Sequence, residues 1–173
     1  MFCVAQRTIC IGRPGRRLKA LARAAMRHQQ TNGNGNIQAP HQPRNVLGGP
    51  LQCCCTSPRT GYYRDGFCRT DASDVGRHVI CAKVTREFLE FTASRGNDLS
   101  TPAPRYDFPG LQPGDKWCLC AVRWREALQE GKAPPVFLHC THAKALEYVT
   151  LEELKRHALD WSADQQGGNN GHN

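Results

Sequence analysis

Charge is divided along this chain in a way that limits where a fold can begin. Residues 1–44 carry Arg7, Arg13, Arg16, Arg17, Lys19, Arg23, Arg27 and Arg44, and not one Asp or Glu. The chain has 23 Lys and Arg in all; the 15 beyond this leader balance all 15 Asp and Glu in residues 45–173. On a helix at about 100° per residue, Arg16, Lys19, Arg23 and Arg27 share one face, and Leu18, Leu21, Ala22 and Ala25 the opposite one. A basic amphipathic helix without acids has the character of a mitochondrial or plastid transit peptide, although these 44 residues contain no Ser. The expected partner is organellar import machinery and the expected location a mitochondrion or plastid. Translation from Met26 would instead leave a cytoplasmic protein. Residues 29–44 read as a polar, Gly- and Asn-rich linker, and the tail from Ser162 is similar.

The remaining body, residues 45–161, is expected to fold as one domain. Its zero net charge lacks the positive field that phosphate binding exploits, so no nucleic-acid partner is expected. No apolar run approaches the ~18 residues that a bilayer span requires. Ten cysteines occur, eight of them in the body. The leader lacks the uninterrupted apolar core of a secretory signal, so reduced thiols are expected rather than a disulfide framework.

Local patterns place the elements. Residues 45–76 are rich in Gly, Pro, Cys and Asp and read as loops with short strands. Residues 78–84 alternate as a strand, with His78, Ile80, Ala82 and Val84 on one face and Val79, Cys81 and Lys83 on the other. Thr85 can cap a helix that has Glu87 in its first turn, and Gly96 stands where its C-terminus wants positive φ. Residues 97–116 form a long Pro-rich loop, a kind of segment that is often functional. A helix fits 120–130, with Cys120, Trp124, Ala127 and Leu128 lining one side. Residues 136–140 suit a buried strand. Thr150 to Glu153 is a capping box with Val149 as its staple, opening a helix that runs to about Leu159 or Trp161. Three helices on one side of a small sheet give an α+β domain.

The body also contains long, unusual strings: Thr60–Gly66, Asp74–His78, Gly96–Pro102, Phe108–Leu111, Gly114–Cys120 and Arg123-Trp124, with Ala133–Pro135 and Thr141-His142 downstream. From Asn45 to about Ala158 it resembles the largely bacterial family known as domain of unknown function 2237. The resemblance implies one small α+β domain and carries no activity with it. Cys53 and Cys55 look like departures from the family pattern.

Three groups of residues could carry chemistry. Cys54, Cys68, Cys81, Cys118 and Cys120, with His78, are soft ligands sufficient for a transition metal such as zinc. Their spacing matches no zinc finger or ribbon, and in a straight strand His78 and Cys81 point to opposite faces. Cys120 beside Trp124 reads as a core thiol. The loop residues Asn97, Asp98, Ser100 and Thr101 could hold a small polar ligand, or could simply build turns. Arg64 and Asp65, with Asp74 and Asp115, read first as a turn and ion pairs. His142 could be a ligand or base but suits a helix start. The function these residues best support is a small intracellular binding domain with a Cys/His-lined site for a metal or small polar ligand. One alternative is a thiol-dependent enzyme, with Cys68 or Cys118 as nucleophile and His78 or His142 as base. The other is a structural or interaction domain with buried core cysteines.

Overall fold

The computed structural model of the protein describes residues 42–162. The expected leader helix, the linker up to residue 41 and the tail beyond Ser162 lie outside them. In chain order the elements are β1 (His78–Lys83), α1 (Arg86–Ser94), β2 (Lys116–Cys120), α2 (Ala121–Gln129) and α3 (Leu151–Arg156). Short 3₁₀ turns occupy Pro104–Tyr106, Leu138–Cys140 and Ala143–Glu147. The sheet has two antiparallel strands, so the domain is a small, loop-rich α+β fold. No helix among the described residues is long and apolar enough to cross a membrane.

Helices α1 and α3 begin where a side chain satisfies their first N–H groups. The Thr85 hydroxyl accepts from the Phe88 N–H at 3.1 Å, and Gly96 closes α1 with φ +77°. Thr150 and Glu153 form both bonds of a capping box at α3. In α2, Trp124 and Ala127 are fully buried, and the Trp124 indole N–H donates to the Pro134 carbonyl at 3.0 Å. The core gathers Phe88 from α1, Ile80 and Ala82 from β1, Trp124 from α2 and Leu154 from α3. The Pro-rich loop joins it through Leu99, Phe108 and Leu111, all buried.

Three expectations need correction. Residues 45–76 form no regular strand, only isolated pairings such as Arg44 with Pro50. Buried Asn45 organises their start instead: its Oδ1 accepts from Leu47 and Gly49, and its Nδ2 donates to the Pro50 carbonyl. The apolar run 136–140 pairs only at Val136 and then closes into a 3₁₀ turn. The Asp160 carboxylate drives this by accepting the N–H groups of Leu138 (2.8 Å) and His139 (3.1 Å), as a helix cap would. The last helix ends at Arg156, short of Leu159. There His157 and Leu159 exchange backbone bonds with Val136, which takes the chain out of the helix.

Candidate functional site at the junction of β2 and α2

β1 and β2 pair as Cys81 with Cys118 and Ile80 with Leu119, but then as His78 with Cys120. A regular ladder would set Val79 opposite Cys120. The extra residue is a bulge at Val79, whose N–H donates to the Arg77 carbonyl and whose carbonyl accepts from His142, both at 2.9 Å. Arg77 itself adopts φ +50°, in the left-handed region that suits glycine better. A bulge re-aims side chains. Here it brings the His78 imidazole onto Cys120, with Nε2 3.2 Å from Sγ.

The other ring nitrogen is held from behind. His78 Nδ1 lies 2.7 Å from Oδ1 of Asp74, a fully buried carboxylate. Asp74 Oδ2 also accepts the His78 N–H at 2.8 Å and the Thr70 hydroxyl at 2.9 Å. Burial works against this carboxylate, but the hydrogen bonds and the positive charge of His78 outweigh it and hold its pKa below the usual value. Its contribution to stability is therefore complete above the ordinary carboxylate range, and is lost as pH falls through the depressed value.

Cys120 occupies the N-cap position of α2, and no side chain caps that helix. The partial positive charge of a helix N-terminus and an adjacent imidazolium both favour a thiolate. Cys120 and His78 line a pocket with a cavity volume of about 50 Å³. Arg64 and Arg123 supply its cationic side, and Phe108 and Trp117 part of its apolar wall. The Arg64 guanidinium lies 5.0 Å above the Trp117 ring, and its partial burial lowers its pKa. Asn97 is buried and lines the pocket; its Nδ2 donates to the Thr92 hydroxyl at 2.9 Å, and its Oδ1 has no hydrogen-bond partner among the described residues. Every lining residue falls within one of the strings that carry the resemblance.

The six metal candidates separate into two groups. Cys54 is bonded to Cys81 and Cys68 to Cys118. The expectation of reduced thiols is thus corrected for these four. Their side chains pack in one buried apolar cluster with Cys140 and Phe137, which explains why they meet: the loop carrying Cys54 and Cys68 folds over β1 and β2. His78 and Cys120 form the second group, at the pocket. Two thiols named as nucleophiles, Cys68 and Cys118, are therefore consumed in a disulfide. Cys120, read as a core thiol on the helix, is buried as expected but is the last residue of β2. The thiol of Cys140 is pushed up to about 11, first by burial and then by the charge of Asp160.

Other candidates stand elsewhere. Asp98 accepts from the N–H groups of Ser100 (2.8 Å) and Thr101 (3.1 Å) and from the Thr101 hydroxyl (2.6 Å), so these three residues build their own turn. Asp65 accepts from the Phe67 N–H and pairs with Arg69. His142 Nδ1 accepts the Lys144 N–H at 3.0 Å at the start of a 3₁₀ turn. Burial, with the charge of Lys144, lowers the pKa of His142. No site role was expected for Trp117, Phe108 or Arg123, and Asp74 was expected foremost as a structural ion pair with Arg64. The one local signal was the spacing of four between Asp74 and His78.

Residues 44–158 match the family described as an uncharacterized protein conserved in bacteria (DUF2237). The chain belongs to this family. The match spans β1 through α3, and Asp74, His78 and Cys120 lie within it. A comparison with curated proteins finds no match.

Proposed function

We propose that this DUF2237 domain is a thiol-dependent enzyme acting on a small acyl substrate. Cys120 is the nucleophile, His78 its base, and Asp74 the residue that orients the imidazole. One observation carries the reading: Asp74, His78 and Cys120 form a continuous chain with separations of 2.7 and 3.2 Å that ends in the pocket. A nucleophile within reach of a base that a third group orients is the arrangement covalent catalysis requires. The Cys120 proton passes first to His78 Nε2, and the Sγ thiolate then bonds to the acyl carbon. The leaving group departs with that proton, and water then hydrolyses the thioester and restores the thiol. Arg64 and Arg123 favour a substrate bearing a carboxylate or another acceptor. A cavity of about 50 Å³ favours a small one. The binding role expected from the residues is contained in this reading, with Asn97 as the polar anchor.

A test uses p-nitrophenyl acetate with the full chain. The expected result is a burst of one equivalent of nitrophenolate and an acetyl group on the Cys120 peptide. No burst, or acetylation confined to Cys53 and Cys55, overturns the assignment.

The acid-free basic leader supports delivery to a mitochondrion or plastid. Residues 1–44 fused to a fluorescent reporter should carry it into one of these organelles. A diffuse cytoplasmic signal would instead support translation from Met26.

A further inference from the structure

The four disulfide-bonded cysteines share one buried cluster, and this holds whatever Cys120 does. Cys54 and Cys68 come from the loop, Cys81 from β1 and Cys118 from β2. Cys81 and Cys118 stand opposite each other in the sheet. The Sγ atoms of Cys54, Cys68 and Cys118 lie within 4.8 Å of one another, and the fourth sulfur is bonded to that of Cys54. All four residues are at most 5% exposed.

We infer that Cys54, Cys68, Cys81 and Cys118 constitute a tetrathiolate site for Zn²⁺ once both disulfides are reduced. Tetrahedral coordination with Zn–S of about 2.3 Å sets the sulfurs about 3.8 Å apart. The bonded pairs must open to that separation, and the Cys81 sulfur, which stands outside the group formed by the other three, must swing toward Cys68 and Cys118 by side-chain rotation. Hydrogen bonds also hold the backbone at the cluster, beside the sulfurs. The Cys118 N–H donates to the buried Thr60 hydroxyl at 2.7 Å, the Cys81 N–H to the Thr141 hydroxyl at 3.1 Å, and the Cys54 N–H to the Gly66 carbonyl at 2.8 Å. Four thiolates and one Zn²⁺ leave a net negative charge. Lys116 stands beside it, with its ammonium 4.1 Å from the ring of Phe137, which packs on the cluster.

The chemistry balances with a dithiol as reductant. Each disulfide takes two electrons and two protons from one dithiol, which leaves as a disulfide. Binding of Zn²⁺ then displaces four protons from the four thiols. The domain thus has two ways of tying its loop to the strands, covalent when oxidised and metal-mediated when reduced. Cys118 also lines the pocket, so either form keeps that wall in place.

The experiment reduces the full chain with a phosphine under argon and titrates it with Co²⁺ as a spectroscopic probe. The expected result is one equivalent of tetrahedral thiolate-bound cobalt, seen by its charge-transfer and visible bands and displaced by Zn²⁺. Cys68→Ser and Cys81→Ser should each weaken binding about a hundredfold. The triple variant Cys53→Ser, Cys55→Ser, Cys140→Ser should bind as the parent does. As a check that needs no variant, Zn²⁺ should protect the four cluster thiols of the reduced chain from alkylation while Cys53 continues to react. Binding of less than a tenth of an equivalent, or binding unchanged in Cys68→Ser, overturns the inference.

Discussion

Replacing His78 by alanine is expected to slow alkylation of Cys120 by iodoacetamide at pH 7 by about 30-fold. A thiol with the ordinary pKa of ~8.5 is only about 3% ionised at that pH. A cysteine facing an imidazolium at 3.2 Å, at the N-terminus of α2, should be largely thiolate. Removing the imidazole returns it toward the ordinary value, which sets the size of the loss. Deacylation of the acetyl-enzyme should fall further, by about 10²- to 10⁴-fold, because a general base is lost from the transition state. Asp74→Asn separates orientation from charge. It keeps a side chain of the same shape but presents an amide to Nδ1, and should shift the pH profile of alkylation upward without preventing folding. The measurement is peptide mapping of alkylated Cys120 as a function of pH. A profile identical in the parent, His78→Ala and Asp74→Asn would show that the thiol is a passive core residue.

The second large effect concerns stability. Cys54–Cys81 closes a loop of 27 residues and Cys68–Cys118 one of 50. In the chain-entropy picture these bonds restrict the unfolded ensemble by about 3.5 and about 4 kcal/mol respectively. The loops overlap, so the two contributions are not independent and their sum exceeds the joint effect. With total stabilities of about 5–15 kcal/mol for small domains, losing both crosslinks should bring the fold close to its limit. The double variants Cys54→Ala/Cys81→Ala and Cys68→Ala/Cys118→Ala, unfolded in urea with chelator present, test this. A loss under 1 kcal/mol in each would mean that the buried threonines and the apolar cluster alone hold the loop. The two-stranded sheet makes the expectation physically reasonable. With so little ladder, residues 45–76 are joined to the strands mainly by sulfur and by bonds such as Cys118 to Thr60.

What could be read locally follows from range. Thr85 and Gly96 bracket α1, Thr150 and Glu153 open α3, and Gly131 follows α2, because each of these signals acts within about one helical turn. The burial of Trp124 and Ala127 follows from helical spacing in the same way. Misreadings arose where a distant group intervened. Asp160 turned the apolar run after Val136 into a 3₁₀ turn from 22 residues away. Cys120 is buried as expected, but its contact with His78 was missed because alternation and helix period describe a straight element, and a bulge is neither.

The amino-acid order alone was enough to determine a charge-neutral body behind a cationic N-terminal stretch, three helices with the N-caps of two of them, and the family. It also showed that many thiols share one small domain. Which thiols pair, and that His78 faces Cys120 rather than the opposite side, were decided only when the chain closed on itself. The reason is that sulfur pairing joins residues 27 and 50 positions apart. The facing of His78 hangs on a single backbone exchange, with the Val79 carbonyl bonding to His142 instead of continuing the ladder.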